Sequence, residues 1–399
     1  MPTPRETHPA APALWRTTRL QAGVLALGLL AVPACDDDSE ARACTTSEAA
    51  ACLSRHEACL VAGGQPVCDA CPAGEHPNTA GVCVAFTGTP MTQTFGPYDL
   101  AAGAEIESVC ESWTLGNTED IFVNAAELAS DGGFHHSILF FVPEGFQDWP
   151  AGRWEDCYEK GFSEVQAAVA GGVLVASSTE VDGEMQQFPA GVAIRIPAGS
   201  RIIAALHLRN EGTTPLQTEL RAAFHTVDAA TVTTRLAPSQ LVVPGLEIPT
   251  DKPSSFGGTC DLATAIGPTM AVKVHGFLPH LHPAATSLQV AVVGGPQDGR
   301  VLVELGPYEP VTLGFVFDPP VDLTGATGLS MRCNYDPALA DAASWGHGHE
   351  EKCETLIYVD SPTAFAGFIG ATERPAANAD GDATWPCVVQ PFAYPSVAP

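Results

Sequence analysis

The chain has 399 residues, 45% of them apolar, with 38 glycines, 34 prolines and a formal net charge of −28. That length and apolar content specify globular domains, and the glycine and proline content favours turns over long helices. The acidic balance excludes a nucleic-acid partner, because phosphate binding needs a basic footprint.

Residues 1–34 read as a processing segment. Arg5, Arg16 and Arg19 precede the apolar run Leu20–Val32, which ends in Ala31-Val32-Pro33-Ala34-Cys35. A basic start, a short apolar stretch and small residues at its end mark a secretory signal too short to span as a stable anchor. The ending resembles a bacterial lipobox, with Cys35 as the residue to be lipidated; cleavage after Ala34 without lipid is the alternative. Residues 35–43, with Asp36-Asp37-Asp38-Ser39-Glu40, then form an acidic tether between acyl chains and an exported body. The expected location is the bacterial cell envelope, periplasmic or outer-surface, with membrane contact through the lipid alone and the body a monomer.

Export makes disulfides the default fate of cysteine. Of the 13 cysteines, those other than Cys35 form two groups of six. Cys44, Cys52, Cys59, Cys68, Cys71 and Cys83 crowd into residues 44–85, where little aliphatic core is available and staples must take its place. Cys68 and Cys71 have zinc-ligand spacing, but in an exported chain disulfides are the reading. This segment is a small Cys-rich module with no chemistry assigned.

From Phe86 onward, short β-favouring runs alternate with Gly, Pro, Asp and Asn. Ile138–Val142, Gly172–Ala176, Val192–Ile196, Arg201–Leu208 and Leu216–Phe224 are examples, and after Pro238 come Gln240–Val243, Thr269–His275, Ser287–Val293 and Thr355–Val359. Strands at this spacing predict antiparallel sandwiches of jelly-roll type, in an all-β fold. Roughly 300 residues exceed one such sandwich, so two are expected, residues 86–237 and 238–390.

The 12 histidines are unevenly placed. Asp131-Gly132-Gly133-Phe134-His135-His136 leads from a turn into an apolar strand. Adjacent side chains on a strand point to opposite faces, so these two imidazoles converge only at a strand end or a bulge. His207 stands in the apolar strand Ile202–Leu208, where an imidazole needs a partner or a metal. His280-Leu281-His282 places two rings on one strand face without a bulge. His347-Gly348-His349 repeats that spacing in a glycine-rich loop. His225 and His275 read as ordinary strand histidines.

This order of motifs resembles the copper type II, ascorbate-dependent monooxygenases, the family of peptidylglycine α-hydroxylating monooxygenase and dopamine β-monooxygenase. Ser108-Val109-Cys110, Trp154-Glu155-Asp156-Cys157 and Ser330-Met331-Arg332-Cys333 add local echoes between about Glu105 and Cys387. The resemblance implies that His135, His136 and His207 bind an electron-relay copper. It implies that His280 and His282 bind a second, separated copper where O2 meets substrate, with an external reductant such as ascorbate. It also pairs Cys333 with Cys353 and Cys260 with Cys387. Cys110 is left to Cys157, because the family partner has no cysteine equivalent near Val227–Thr231.

The family's third ligand at the second copper is a methionine before a cysteine. Here Glu350-Glu351-Lys352-Cys353 stands in that place, and Pro283-Ala284-Ala285 departs from the family after the His-x-His. An ammonium has no lone pair to offer Cu(I). Three replacements are open: an imidazole of His347 or His349, with His349 favoured; Met331; or no replacement. If the second site works, Lys352 is expected to face solvent or to pair with Glu350 or Glu351. The functional expectation is hydroxylation of a C–H bond of a small-molecule or peptide substrate. The alternative is a copper-binding envelope lipoprotein without turnover.

Overall fold

In a computed structural model of the chain, residues 44–45, 48, 52, 57–72, 74–77, 81–177, 183–308, 314–339, 351–361, 363–370 and 382–393 are described. The signal segment, Cys35, the acidic tether, His347, His349 and Glu350 lie outside them. The described residues belong to one compact unit beginning at Ala43. None of their helices is long and apolar enough to cross a membrane.

The Cys-rich module comes first, with two hairpins: β1 (Glu57–Ala62) with β2 (Gln65–Ala70), and β3 (Glu75–Pro77) with β4 (Cys83–Ala85). Three disulfides take the place of a core, Cys44–Cys59, Cys52–Cys68 and Cys71–Cys83. Cys68 and Cys71 thus go to different partners.

The next ten strands are β5 (Thr89–Leu100), β6 (Glu105–Thr114), β7 (Ile121–Ser130), β8 (Phe134–Pro143), β9 (Gly152–Trp154), β10 (Gly172–Ser177), β11 (Gly183–Gln187), β12 (Val192–Ile196), β13 (Ser200–Arg209) and β14 (Leu216–Thr226). One sheet runs β10-β8-β13-β6-β9, and β12, β7, β14 and β5 are neighbours in the other. Their inward faces meet through Phe95, Leu128, Leu139, Phe141, Leu206 and Phe224. The five-stranded sheet is covered on its outer side as well. There Phe140, Trp149, Trp154, Phe162 and Val173 form a second apolar cluster, beneath the short helix Glu164–Ala170. The Cys110–Cys157 disulfide ties that cover to β6. Burial on both faces explains why β8 reads as a continuous apolar run without alternation.

β15 (Thr234–Val242) passes from one sandwich to the other. Thr234–Leu236 pair with β12, whereas Ala237–Val242 pair with β22 (Cys353–Val359). Residues 237 and 238 therefore stand in the middle of a strand.

The remaining strands are β16 (Ser254–Asp261), β17 (Lys273–Leu281), β18 (Ala285–Val293), β19 (Val301–Leu305), β20 (Phe315–Asp322), β21 (Gly328–Tyr335), β23 (Thr363–Ile369) and β24 (Asp382–Ala393). β19-β18-β21-β16 form one layer, while β23, β15, β22, β17 and β20 form the other. β24 joins them: its first residues lie along β16 and Cys387–Ala393 lie along β23, which makes a sandwich corner. Cys260–Cys387 locks that corner, and Cys333–Cys353 ties β21 to the first residue of β22. The fold is all-β, two consecutive antiparallel sandwiches behind a disulfide-rich module.

Candidate metal centre

His136 and His207 face each other across the β8–β13 ladder. The register slips immediately beyond them, because Leu208 pairs with Phe134 and not with His135. His135 is the extra residue of a bulge, and the bulge brings two consecutive imidazoles to one side. Entry to β8 needs the chain reversal at Gly132 and Gly133, whose φ angles are 93° and 77°. The Gly133 carbonyl also accepts the Arg209 amide, fixing the turn to the far end of β13.

His280 lies on β17, opposite Glu354 of β22, and His282 follows just past the strand end. Their ring centroids are 4.9 Å apart. The structure brings this pair against the first three histidines. His136 lies 5.0 Å from His280 and 5.9 Å from His282 between ring centroids, and His135 lies 5.7 Å from His282. Two trios result, His135–His136–His207 and His136–His280–His282, each with one nitrogen per ring within 4.8 Å of the others. The expected separation of the two sets is thereby corrected. The mouth of β8 and β13 abuts the end of β17, and His136 is common to both trios.

The nitrogens point at one another as ligands around ions do. His135 Nδ1 is 3.0 Å from His136 Nδ1, and His280 Nε2 is 3.1 Å from His282 Nε2. His207 Nε2 donates to Glu105 Oε1 at 2.8 Å, while its buried Nδ1 has no hydrogen-bond partner. Glu105 thus fixes the tautomer that leaves the Nδ1 lone pair directed inward, the usual carboxylate–histidine support of a metal ligand. Burial drives the His136 imidazole well below its ordinary pKa, and the surrounding His280, His207, His282 and His135 add to it. Burial and His135 lower His207 to about 4, against the opposing pull of Glu105. A set of imidazole donors with no thiolate suits a cation, copper in either oxidation state included.

Lys352 departs from expectation. It is 3% exposed, and its Nζ is 3.9 Å from Glu354 Oε1. It neither faces solvent nor pairs with Glu351. Residues two apart in extended chain share a face, so Lys352 and Glu354 point together while Glu351 turns the other way. Glu351 is fully buried, and its Oε1 accepts the Ala284 amide at 2.9 Å. Met331 packs in the apolar core of the second sandwich, on the β21 strand between Gly258 and Val290. His225 and His275 lie on carboxylates, Glu127 and Asp360 respectively. Sequence reasoning missed Glu105, which is 102 residues from His207 and reaches it only through the β6–β13 pairing. It also missed Glu354, although the alternation Lys352-x-Glu354 was present in the sequence.

A chamber of about 180 Å³ opens beside His136 and His280. Ile138, Phe140, Val173, Leu278, Leu356 and Phe368 form its apolar walls, and Lys352, Glu354 and Glu164 also line it.

No family model matches the chain, and no curated protein matches it. Among solved structures it is similar to the major capsid protein P2 of bacteriophage PM2, at 9% identity over 68% of this chain and 97% of that one, with a TM-score of 0.28. It is also similar to the cowpea mosaic virus top component, at 8% identity over 69% and 89% of the two chains, with a TM-score of 0.28. A third is PNGF-II, at 9% identity over 68% and 65%, with a TM-score of 0.24. Likenesses of this degree carry no argument about function.

Proposed function

We propose that this chain is a copper-dependent monooxygenase that hydroxylates a C–H bond with O2 and an external reductant such as ascorbate. The observation that carries the reading is the convergence of His135, His136, His207, His280 and His282, drawn from both sandwiches, on one cluster in which His135, His207 and His282 are deeply buried. Copper bound there would supply one-electron transfer between its two oxidation states. The reaction balances as substrate C–H, O2, two electrons and two protons giving C–OH and water, with the reductant as the electron source.

The protein's own part is geometric. The bulge at His135 and the His207–His136 pairing hold three nitrogens together without a flexible loop. Glu105 keeps the His207 Nδ1 lone pair inward. Both faces of β8 are buried, and the low dielectric around it strengthens the electrostatic interactions of the histidines it carries. His280 presents the chamber to the cluster, so a molecule held there lies beside the imidazoles. Lys352 is a wall of that chamber, so its ammonium takes part in binding and not in metal ligation.

Titrating the purified chain with Cu(II) tests the reading, with nitrogen hyperfine coupling measured by electron paramagnetic resonance and O2 uptake followed after ascorbate is added. Tight copper with imidazole coupling and ascorbate-dependent O2 uptake are the expected result. Copper retention without any O2 uptake would favour a binding protein that lacks turnover. Failure to retain copper overturns both.

A further inference from the structure

We propose that the chamber beside His136 and His280 is a substrate pocket selecting a small, uncharged, mainly hydrocarbon molecule of about one ring in size. The inference rests on the copper reading and adds to it the class of molecule to be oxidised.

Size is the first constraint. The chamber measures about 180 Å³, and a dry cavity of roughly 150 Å³ with aliphatic and aromatic walls suffices for benzene. That volume seats one ring-sized group. The walls follow from strand periodicity. Ile138 and Phe140 lie two and four residues beyond His136 on β8, and Leu278 lies two residues before His280 on β17. The strand faces that carry the two imidazoles therefore continue as apolar surface into the chamber. Leu356 stands two residues after Glu354 on the facing strand and Phe368 closes the same space. A hydrocarbon laid along these walls has its end beside His136 and His280.

Charge is the second constraint. The Lys352 ammonium and the Glu354 carboxylate are already matched to each other at 3.9 Å. Glu164, at the start of the helix whose N-cap is Ser163, shares the chamber and interacts electrostatically with both Lys352 and Glu354. A ligand carboxylate would have to displace Glu354 from Lys352, and a ligand ammonium would meet Lys352 itself. Moving a charged ligand into this largely apolar chamber costs desolvation that a neutral molecule does not bear. A single hydroxyl or carbonyl on the ligand can instead hydrogen-bond to the Lys352–Glu354 pair.

The test uses the full-length metal-free chain and three probes of one shape: benzyl alcohol, benzoate and benzylamine. Binding is measured by calorimetry and by saturation-transfer nuclear magnetic resonance, so it needs no copper. The expected result is at least about a tenfold preference for benzyl alcohol over both ions, a factor worth about 1.4 kcal/mol. Ala176→Phe, which puts a ring into the chamber, should abolish binding while near-ultraviolet circular dichroism stays unchanged. Glu354→Gln leaves Lys352 without its carboxylate and should shift preference toward benzoate. Tighter binding of either ion by the parent chain overturns the proposal, as does binding that Ala176→Phe leaves untouched. Copper titration on the same preparation separates the two readings. Copper retained with no probe bound refutes the substrate class alone, and probe bound with no copper retained refutes the monooxygenase reading alone.

Discussion

His136 and His207 are direct partners in the antiparallel β8–β13 ladder, and the ladder slips by one residue immediately beyond them. That slip places His135 beside them, and ring centroids of 4.5 and 4.8 Å connect His207 to His135 and to His136. The trio is thus made by backbone register in a sheet that is covered on both faces. Removing one of its imbedded rings should change metal binding before it changes the fold. His207→Ala is expected to lose one copper equivalent, read by metal analysis after gel filtration, with the β-sheet circular dichroism signal retained. Unchanged copper content would remove His207 from the centre.

Glu105 acts through His207. Its carboxylate accepts the hydrogen bond of the His207 Nε2–H at 2.8 Å, and loss of such a support usually weakens metal affinity about 10–100-fold. Glu105→Ala should therefore bind copper more weakly by that factor in competition with a chelator, and its Cu(II) hyperfine pattern should shift. Glu105→Gln, which keeps a hydrogen-bond acceptor, should recover part of the loss. A role confined to folding would lower the melting temperature and leave the spectrum of the bound copper unaltered.

Much of this was legible in the chain, and the reasons are local. Glycines before His135 announced a turn into a strand, and the requirement that adjacent imidazoles need a bulge is pure strand geometry. His280-Leu281-His282 declared its shared face in the same way. Illegible were relations set by tertiary docking. Nothing in the spacing of β8 and β17 says that His136 and His280 come within 5.0 Å, because no local rule fixes how two sandwiches abut. Lys352 misled because its neighbour in sequence, Glu351, is the partner that adjacency suggests. Alternation along an extended segment hands it to Glu354 instead.

Lys352 itself offers a decisive substitution. Its ammonium lies in the chamber wall that also includes His280, and like charge opposes a cation bound nearby. Lys352→Met removes that charge and supplies a soft thioether suited to Cu(I). Copper bound at His280 and His282 should then be held more tightly, with the larger gain in the reduced state, as read by chelator competition under ascorbate. Weaker copper retention in this variant would mean that Lys352 supports the site through Glu354.

Gly133 tests the turn that feeds β8. Its φ of 77° is left-handed, and an added Cβ would come within 2.8 Å of Leu216 Cδ2. An L residue in that region costs about 1–2 kcal/mol. Gly133→Ala should lower the melting temperature by a few degrees and reduce copper affinity together, because the turn and the bulge at His135 are two residues apart. Gly116→Ala serves as control, since its φ of 62° is equally left-handed but a Cβ there meets nothing within 4 Å. The control should share the loss of stability and keep its copper. Equal copper loss in both variants would assign the effect to global destabilisation.

Glu351 sets a pH dependence of stability that is independent of metal. The side chain is fully buried, its Oε2 has no hydrogen-bond partner among the described residues, and burial pushes its pKa up from 4.5 to about 7. The Ala284 amide on Oε1 opposes that rise without cancelling it. In the unfolded chain the carboxyl ionises near its ordinary pKa, so between about pH 4.5 and 7 the folded state holds a proton that the unfolded state has released. Stability from the neutral acid is accordingly full below about pH 4.5 and falls as pH rises through about 7, beyond which the buried charge must be borne. Glu351→Gln keeps the shape and cannot ionise. The metal-free variant should lose less melting temperature than the parent between pH 5 and pH 8, with the difference concentrated below pH 7. Parallel melting curves across that range would show that Glu351 is ionised in the folded chain at pH 5, with its charge compensated by the surrounding backbone.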